Sequence, residues 1–172
     1  SPLKLQMGIQ ELTSFSEDMR KRKLKPGQIF LEFGFVVPPV KIAHRLELID
    51  PKTEVLRIKR IRTGNGEPIG IQDSYLVLSK GQSITRQELE ESGSIYSILQ
   101  GKLGIFPSEA DETIEVTLAS SEEAEKLQIS EGDPLLLNER VMWSQDRKII
   151  EFVRILYRGD RYKYLVRLTR KV

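Results

Sequence analysis

Arg60 and Arg62 stand two apart in a segment rich in Val, Leu and Ile, Glu54 to Thr63. Side chains two apart on a strand point to one side, so both guanidinium groups share a face with Leu56 and Ile58. A face that begins apolar and ends in two arginines can grip a phosphate or carboxylate at several oxygens. It can equally be a solvated strand end paired with acids on the next strand. A second candidate is Ser14-Phe15-Ser16, ahead of a helix-forming run. Unpaired N–H groups, partial positive charge and hydroxyls suit an anion there, and suit a plain helix cap as well. A third is Glu151 with Tyr157. In the segment Ile149 to Tyr157 the odd positions Ile149, Glu151, Val153, Ile155 and Tyr157 fall on one side. A carboxylate between Ile149 and Val153 is costly to bury alone, so an internal arginine or the hydroxyls of a polar ligand must meet it. Ser94 and Tyr96 form the fourth candidate, at the start of a short helix that Ser94 caps or where it binds an anion.

The missing chemistry narrows the classes. With no cysteine and one histidine, His44, the 172-residue chain has no thiol nucleophile, no disulfide and no material for a His-based metal site or a Ser–His triad. No phosphate loop, dinucleotide glycine pattern, metal-ligand cluster or catalytic dyad stands out, so we expect no metal, no cofactor and no enzyme. Charge is balanced, 27 basic against 25 acidic residues, which gives no reason to expect nucleic-acid binding by this chain itself. The run Arg20-Lys21-Arg22-Lys23 reads as a solvated helix end. No apolar run reaches membrane-spanning length and no signal peptide opens the chain; with the lack of cysteine, this fits a cytoplasmic protein that does not contact membrane. The opening Ser-Pro-Leu-Lys has no initiator Met, so the chain reads as a piece of a longer protein.

The elements that must position these residues follow from period and punctuation. Residues 1–11 read as a linker or arm, then a helix from about Ser16 to Arg22, ended by a turn at Pro26-Gly27. A strand spans 28–37, and a two-turn helix lies around 42–46. Glu54 to Thr63 and Ile69 to Leu78 form a hairpin about Gly64-Asn65-Gly66-Glu67-Pro68. Helices follow at Thr85 to Glu91, with Thr85 as cap, and Ser94 to Lys102. Then come a strand from Thr113 to Ala119, a helix from Glu122 to Leu127 capped by Ser120 or Ser121, a hairpin of Leu135 to Trp143 and Ile149 to Tyr157, and a last strand from Arg161 to Arg170. This predicts an α+β domain with a mostly antiparallel sheet, short helices covering one face, and a central strand at 149–157.

Several segments in order resemble a known family. LTSFSEDM (12–19), VLRIKRIRTGNGEPIGIQDSYL (55–76), SIYSIL (94–99), ASSEEAEKLQISEGDPLLLNERV (119–141) and EFVRILYRGDRYKYLV (151–166) are similar to the opening helix, central hairpin, following helix, helix–turn–strand unit and closing signature of UTRA domains. These are the effector-binding domains of GntR-superfamily, HutC-type transcription regulators. The resemblance implies a chorismate-lyase-like fold with a ligand cavity between sheet and helices. It makes 12–172 the UTRA domain and 1–11 the linker from an N-terminal winged helix-turn-helix domain. It implies a homodimer, operator DNA bound through that other domain, and a small anionic effector, a phosphorylated sugar or amino sugar. Carried over by position, phosphate falls to Ser14, Phe15, Ser16, Arg60, Arg62 and Ser94. The sugar falls to Glu151 and Tyr157 with Tyr96, and to Gln72, which stands where the sugar-phosphate sensors carry an acid. A lyase on the same fold, or a sensor of a non-phosphorylated ligand, are the alternatives.

Overall fold

The computed structural model describes residues 5–8 and 19–171. Six strands form one antiparallel sheet: β2 (Pro26–Val36), β3 (Val55–Gly64), β4 (Glu67–Leu76), β5 (Pro107–Leu118), β6 (Pro134–Ser144) and β7 (Ile149–Arg158), in the order β2-β3-β4-β7-β6-β5. The hairpin between β3 and β4 turns on Asn65 and Gly66, both at positive φ (51° and 81°), the two-residue turn whose twist suits paired strands. Asn65 also accepts a hydrogen bond from the Lys25 amide through Oδ1, 2.8 Å, and so ties the start of β2 to the turn.

Register brings distant segments into rows. On one face, here the inner face, Arg60, Gln72, Ile155 and Asn138 are successive partners across β3, β4, β7 and β6; Arg62, Gly70, Tyr157 and Leu136 form the next row. Beside them Ile58, Ser74, Val153 and Arg140 align, then Leu56, Leu76, Glu151 and Met142. Helices α2 (Arg86–Ser92) and α3 (Ile95–Leu103) cover the apolar end of this face. Their Leu89, Ile95, Ile98 and Leu99 pack on Leu56, Ile58, Leu76 and Met142. Each such buried side chain is worth about 1.5–3 kcal/mol. The helices start where the sequence predicts: Thr85 forms a capping box with Glu88, and the Ser94 hydroxyl accepts from the Ser97 amide.

The outer face carries helices too, in addition to those expected on one face. Helix α4 (Ser121–Leu127), capped by Ser120 with Glu123, sets Ala124 and Leu127 against Ile71, Leu135 and Leu156. Helix α1 (Val40–Arg45) lies at the other end, where Leu46 joins Val55, Tyr75, Val141 and Phe152, with Trp143 and Ile149 packed alongside. The strand at 149–157 is therefore central and covered on both sides.

Three expectations need correction. The last strand is short, β8 (Tyr162–Leu165), and 166–171 lie outside any strand. The alternation at Val166 and Leu168 is not used, since both are exposed. Part of the supposed arm is a strand, β1 (Leu5–Gly8), and it pairs parallel with β8, Leu5 opposite Tyr162 and Gly8 opposite Leu165. A parallel partner far along the chain leaves no local signal. Pro26-Gly27 begins β2 rather than forming the turn, which lies earlier, around Lys23 at φ 58°; β2 is an edge strand, where proline is tolerated at the first position. Of the predicted helix at 16–22, residues 19–21 are helical and the rest falls partly outside the described residues.

Candidate functional site

The inner-face rows gather the predicted residues. Arg60 and Arg62 are each 2% exposed, so neither is a solvated strand end. Gln28 on β2 lies between them: its Oε1 accepts from Arg60 Nη1 at 2.8 Å and from Arg62 Nη1 at 3.5 Å, and its Nε2 donates to the Leu89 carbonyl at 2.7 Å. Arg60 also donates to Gln72 Oε1 at 3.4 Å. Arg62 donates to the Gly93 carbonyl at 3.3 Å, which sets it beside Ser94, the buried cap of α3. Among the described residues no carboxylate comes within ion-pairing distance of Arg60, and its Nε has no hydrogen-bond partner.

Electrostatics fit a site that wants an anion. Burial, then the charge of Arg62, pulls Arg60 well below the ordinary arginine range, against the attraction of Glu151. Burial brings Arg62 down to about 10, so it remains charged at neutral pH. Two cations buried side by side about one glutamine are relieved by a bound anion. Glu151 is 1% exposed. Burial raises its pKa, opposed by Arg140, the Ser74 hydroxyl, Arg60 and Tyr96. An internal arginine therefore faces this carboxylate, yet its Oε2 has no hydrogen-bond partner. Tyr96 donates nothing to solvent: it is buried and accepts from Arg140 Nη1 at 3.3 Å.

Tyr157 stacks on Tyr162 of β8, centroids 3.6 Å apart and planes 7° apart. Gly70 makes room for it; a Cβ there would stand 2.8 Å from the Leu156 carbonyl oxygen and 3.1 Å from the Tyr157 ring. Thus Arg60, Arg62, Ser94, Gln72, Tyr96, Glu151 and Tyr157 share one face of one sheet and its covering helix. Ser14, Phe15 and Ser16 lie outside the described residues.

Sequence reasoning missed four polar groups here: Gln28, and Asn138, Arg140 and Glu112 on β6 and β5. Arg140 pairs with Glu112 at 3.2 Å, and Asn138 Nδ2 donates to the same Glu112 oxygen at 3.4 Å. The polar positions Asn138 and Arg140 between Leu136 and Met142 were the available signal; which strand they face was not. Among the described residues no group of three or more His, Asp or Glu could hold a metal ion, and no helix is long and apolar enough to cross a membrane.

Known proteins share this arrangement of chain. HTH-type transcriptional repressor NagR of Bacillus subtilis is 30% identical over 162 residues, 94% of this chain and 65% of NagR. HTH-type transcriptional repressor PhnF of Mycolicibacterium smegmatis is 27% identical over 151 residues, 88% of this chain and 61% of PhnF. The chain so spans a little under two thirds of the length of both relatives. The crystal structure of PhnF is similar with a TM-score of 0.83 and 25% identity, covering 99% of this chain and 74% of that one. The UTRA domain family matches residues 21–163. The chain belongs to that family, the ligand-binding UTRA domains of GntR-type transcription regulators.

Proposed function

We propose that this domain senses a phosphorylated sugar or amino sugar, and that binding alters the operator affinity of a larger regulator. Arg60, Arg62 and Ser94, with Ser14, Phe15 and Ser16 of the opening segment, take the phosphate. Glu151, Tyr157, Tyr96 and Gln72 take the sugar. The observation that carries this reading is the buried arginine pair, held by Gln28 and set beside Ser94, with Arg60 paired to no carboxylate among the described residues. A fork of two guanidinium groups in a dry site matches a phosphate's several oxygens. Gln72 gives the sugar hydroxyls an amide that donates as well as accepts.

In the whole regulator this domain acts as a cytoplasmic homodimer that carries two winged-helix domains onto a two-fold operator, and it catalyses nothing. An effector shifts such an equilibrium only by its differential affinity for the two arrangements. Thermal unfolding with a panel of hexose phosphates tests the ligand class. A phosphorylated sugar at a hundred times its dissociation constant stabilises the fold by about 2.7 kcal/mol. Stabilisation by a non-phosphorylated compound, with none from any sugar phosphate, overturns it. Incubation with chorismate is expected to release no pyruvate; release would make the domain a lyase.

A further inference from the structure

The inner face holds a second polar cluster that the phosphate reading does not use. Asn138 lies on β6, 1% exposed, in the same row as Arg60 and Gln72 and separated from Gln72 by Ile155. Its Nδ2 donates to Glu112, whose carboxylate is pinned by Arg140, and Arg140 is held in turn by the Tyr96 hydroxyl. A carboxylate accepts and never donates, so it fixes which end of the amide faces it. The carbonyl end, Oδ1, then points away from Glu112, and it has no hydrogen-bond partner.

A buried acceptor left unmatched costs stability, and native proteins keep few of them. This one is accompanied by another, Glu151 Oε2, on the neighbouring strand. Asn138 Oδ1, a buried acceptor without a donor on the same side of the sheet as a buried arginine pair, asks for a molecule that is anionic at one end and carries an O–H or N–H group at the other. Adjacent strands lie about 4.8 Å apart, so Asn138 and Gln72 stand roughly 10 Å apart on either side of Ile155.

We infer that Asn138 is a specificity-determining residue of this site: its Oδ1 accepts a hydrogen bond from a hydroxyl or amino N–H of the sugar, with Glu112 and Arg140 as the residues that position it. The inference rests on the sugar-phosphate reading above and adds β6 and β5 to the site. It also gives a role to Glu112, a carboxylate pinned by Arg140: it aims the amide.

Calorimetry and thermal unfolding on the full chain test this, with glucose 6-phosphate, glucosamine 6-phosphate, N-acetylglucosamine 6-phosphate and inorganic phosphate as probes. In Asn138→Leu and Asn138→Ala, the best sugar phosphate of the wild type binds about tenfold more weakly, the loss of one hydrogen bond. Stabilisation by inorganic phosphate at millimolar concentration is unchanged in both. Asn138→Leu without ligand melts at or above the wild-type temperature, since it removes an unmatched acceptor. Equal weakening of sugar phosphate and inorganic phosphate, unaltered sugar-phosphate binding, or a lower melting temperature of empty Asn138→Leu overturns the inference. A wild-type domain that binds no sugar phosphate overturns the reading of the site itself, and this inference with it.

Discussion

Arg57 and Arg60 sit three residues apart on β3 and face opposite sides of the sheet. On the outer face Arg57 meets Asp73 at 2.9 Å, pairs with Glu32 and lies 5.4 Å from the Tyr75 ring. The hydrogen bonds that Arg57 donates to Asp73 raise its pKa in spite of partial burial. On the inner face Arg60 is more deeply buried and, among the described residues, meets glutamine oxygens alone, and its pKa is lowered. One strand thus carries a satisfied cation and an unsatisfied one. On the outer face Arg57 is met by carboxylates and asks for nothing further. On the inner face, among the described residues, Arg60 has no carboxylate within ion-pairing distance, at a cost to stability that an arriving anion would remove.

Breaking the inner side of this contrast gives the largest effect. Arg60→Met lowers sugar-phosphate affinity by about a hundredfold or more in calorimetry, as expected for a buried charge-assisted contact. The same variant without ligand melts no lower than the wild type, because a buried cation without an ion-pair partner is gone. A large drop in melting temperature would show that Arg60 supports the empty fold instead.

Next in size is Glu151→Gln, which weakens the sugar phosphate about tenfold. It also sharpens the electrostatic argument. Burial raises Glu151 above its ordinary value of 4.5, so the folded chain holds that proton more tightly than the unfolded chain. Its contribution to stability is therefore complete below the unfolded pKa and is lost as pH rises through the folded one. Glutamine cannot titrate, so the stability of wild type relative to Glu151→Gln declines from acid towards neutral pH. Unfolding in urea across that range reads the difference; a constant difference refutes the raised pKa.

The smallest effect belongs to the outer side. Arg57→Met costs about 1 kcal/mol or less in thermal unfolding, as is usual for a partly exposed ion pair, and leaves effector affinity within twofold. An effect on affinity as large as that of Arg60→Met would erase the distinction between the two faces.

Much of this contrast was legible in the residues. Alternation places Arg60 and Arg62 on one side with Leu56 and Ile58, and Glu151 with Val153, Ile155 and Tyr157, and the structure has this grouping; Ile149, expected on the side of Glu151, packs on the outer face instead, where the register shifts at Met142 and Trp143. Capping spacing located the starts of α2, α3 and α4 to within a residue or two. Strand order was not legible, because pairing between β4 and β7 joins residues some eighty positions apart and has no local signature. Without it, Asn138 and Arg140 read as ordinary polar positions on a hairpin. Gln28 was hidden for the same reason: an edge strand's glutamine acquires meaning only once it lies opposite Arg62. Tyr162 seemed one of a long alternating run, and its stacking on Tyr157 depends on a short strand that crosses to pair with β1.

The chain has a single tryptophan, Trp143, and it lies on the outer face among residues packed near α1. An effector held on the inner face by Arg60, Arg62 and Asn138 would not touch this indole, since the sheet stands between them. Intrinsic fluorescence excited at the tryptophan band is therefore silent to occupancy as such and responds only if the sheet or α1 shifts. Titrated beside calorimetry, that emission separates binding at the inner face from transmission across the sheet, with no label attached.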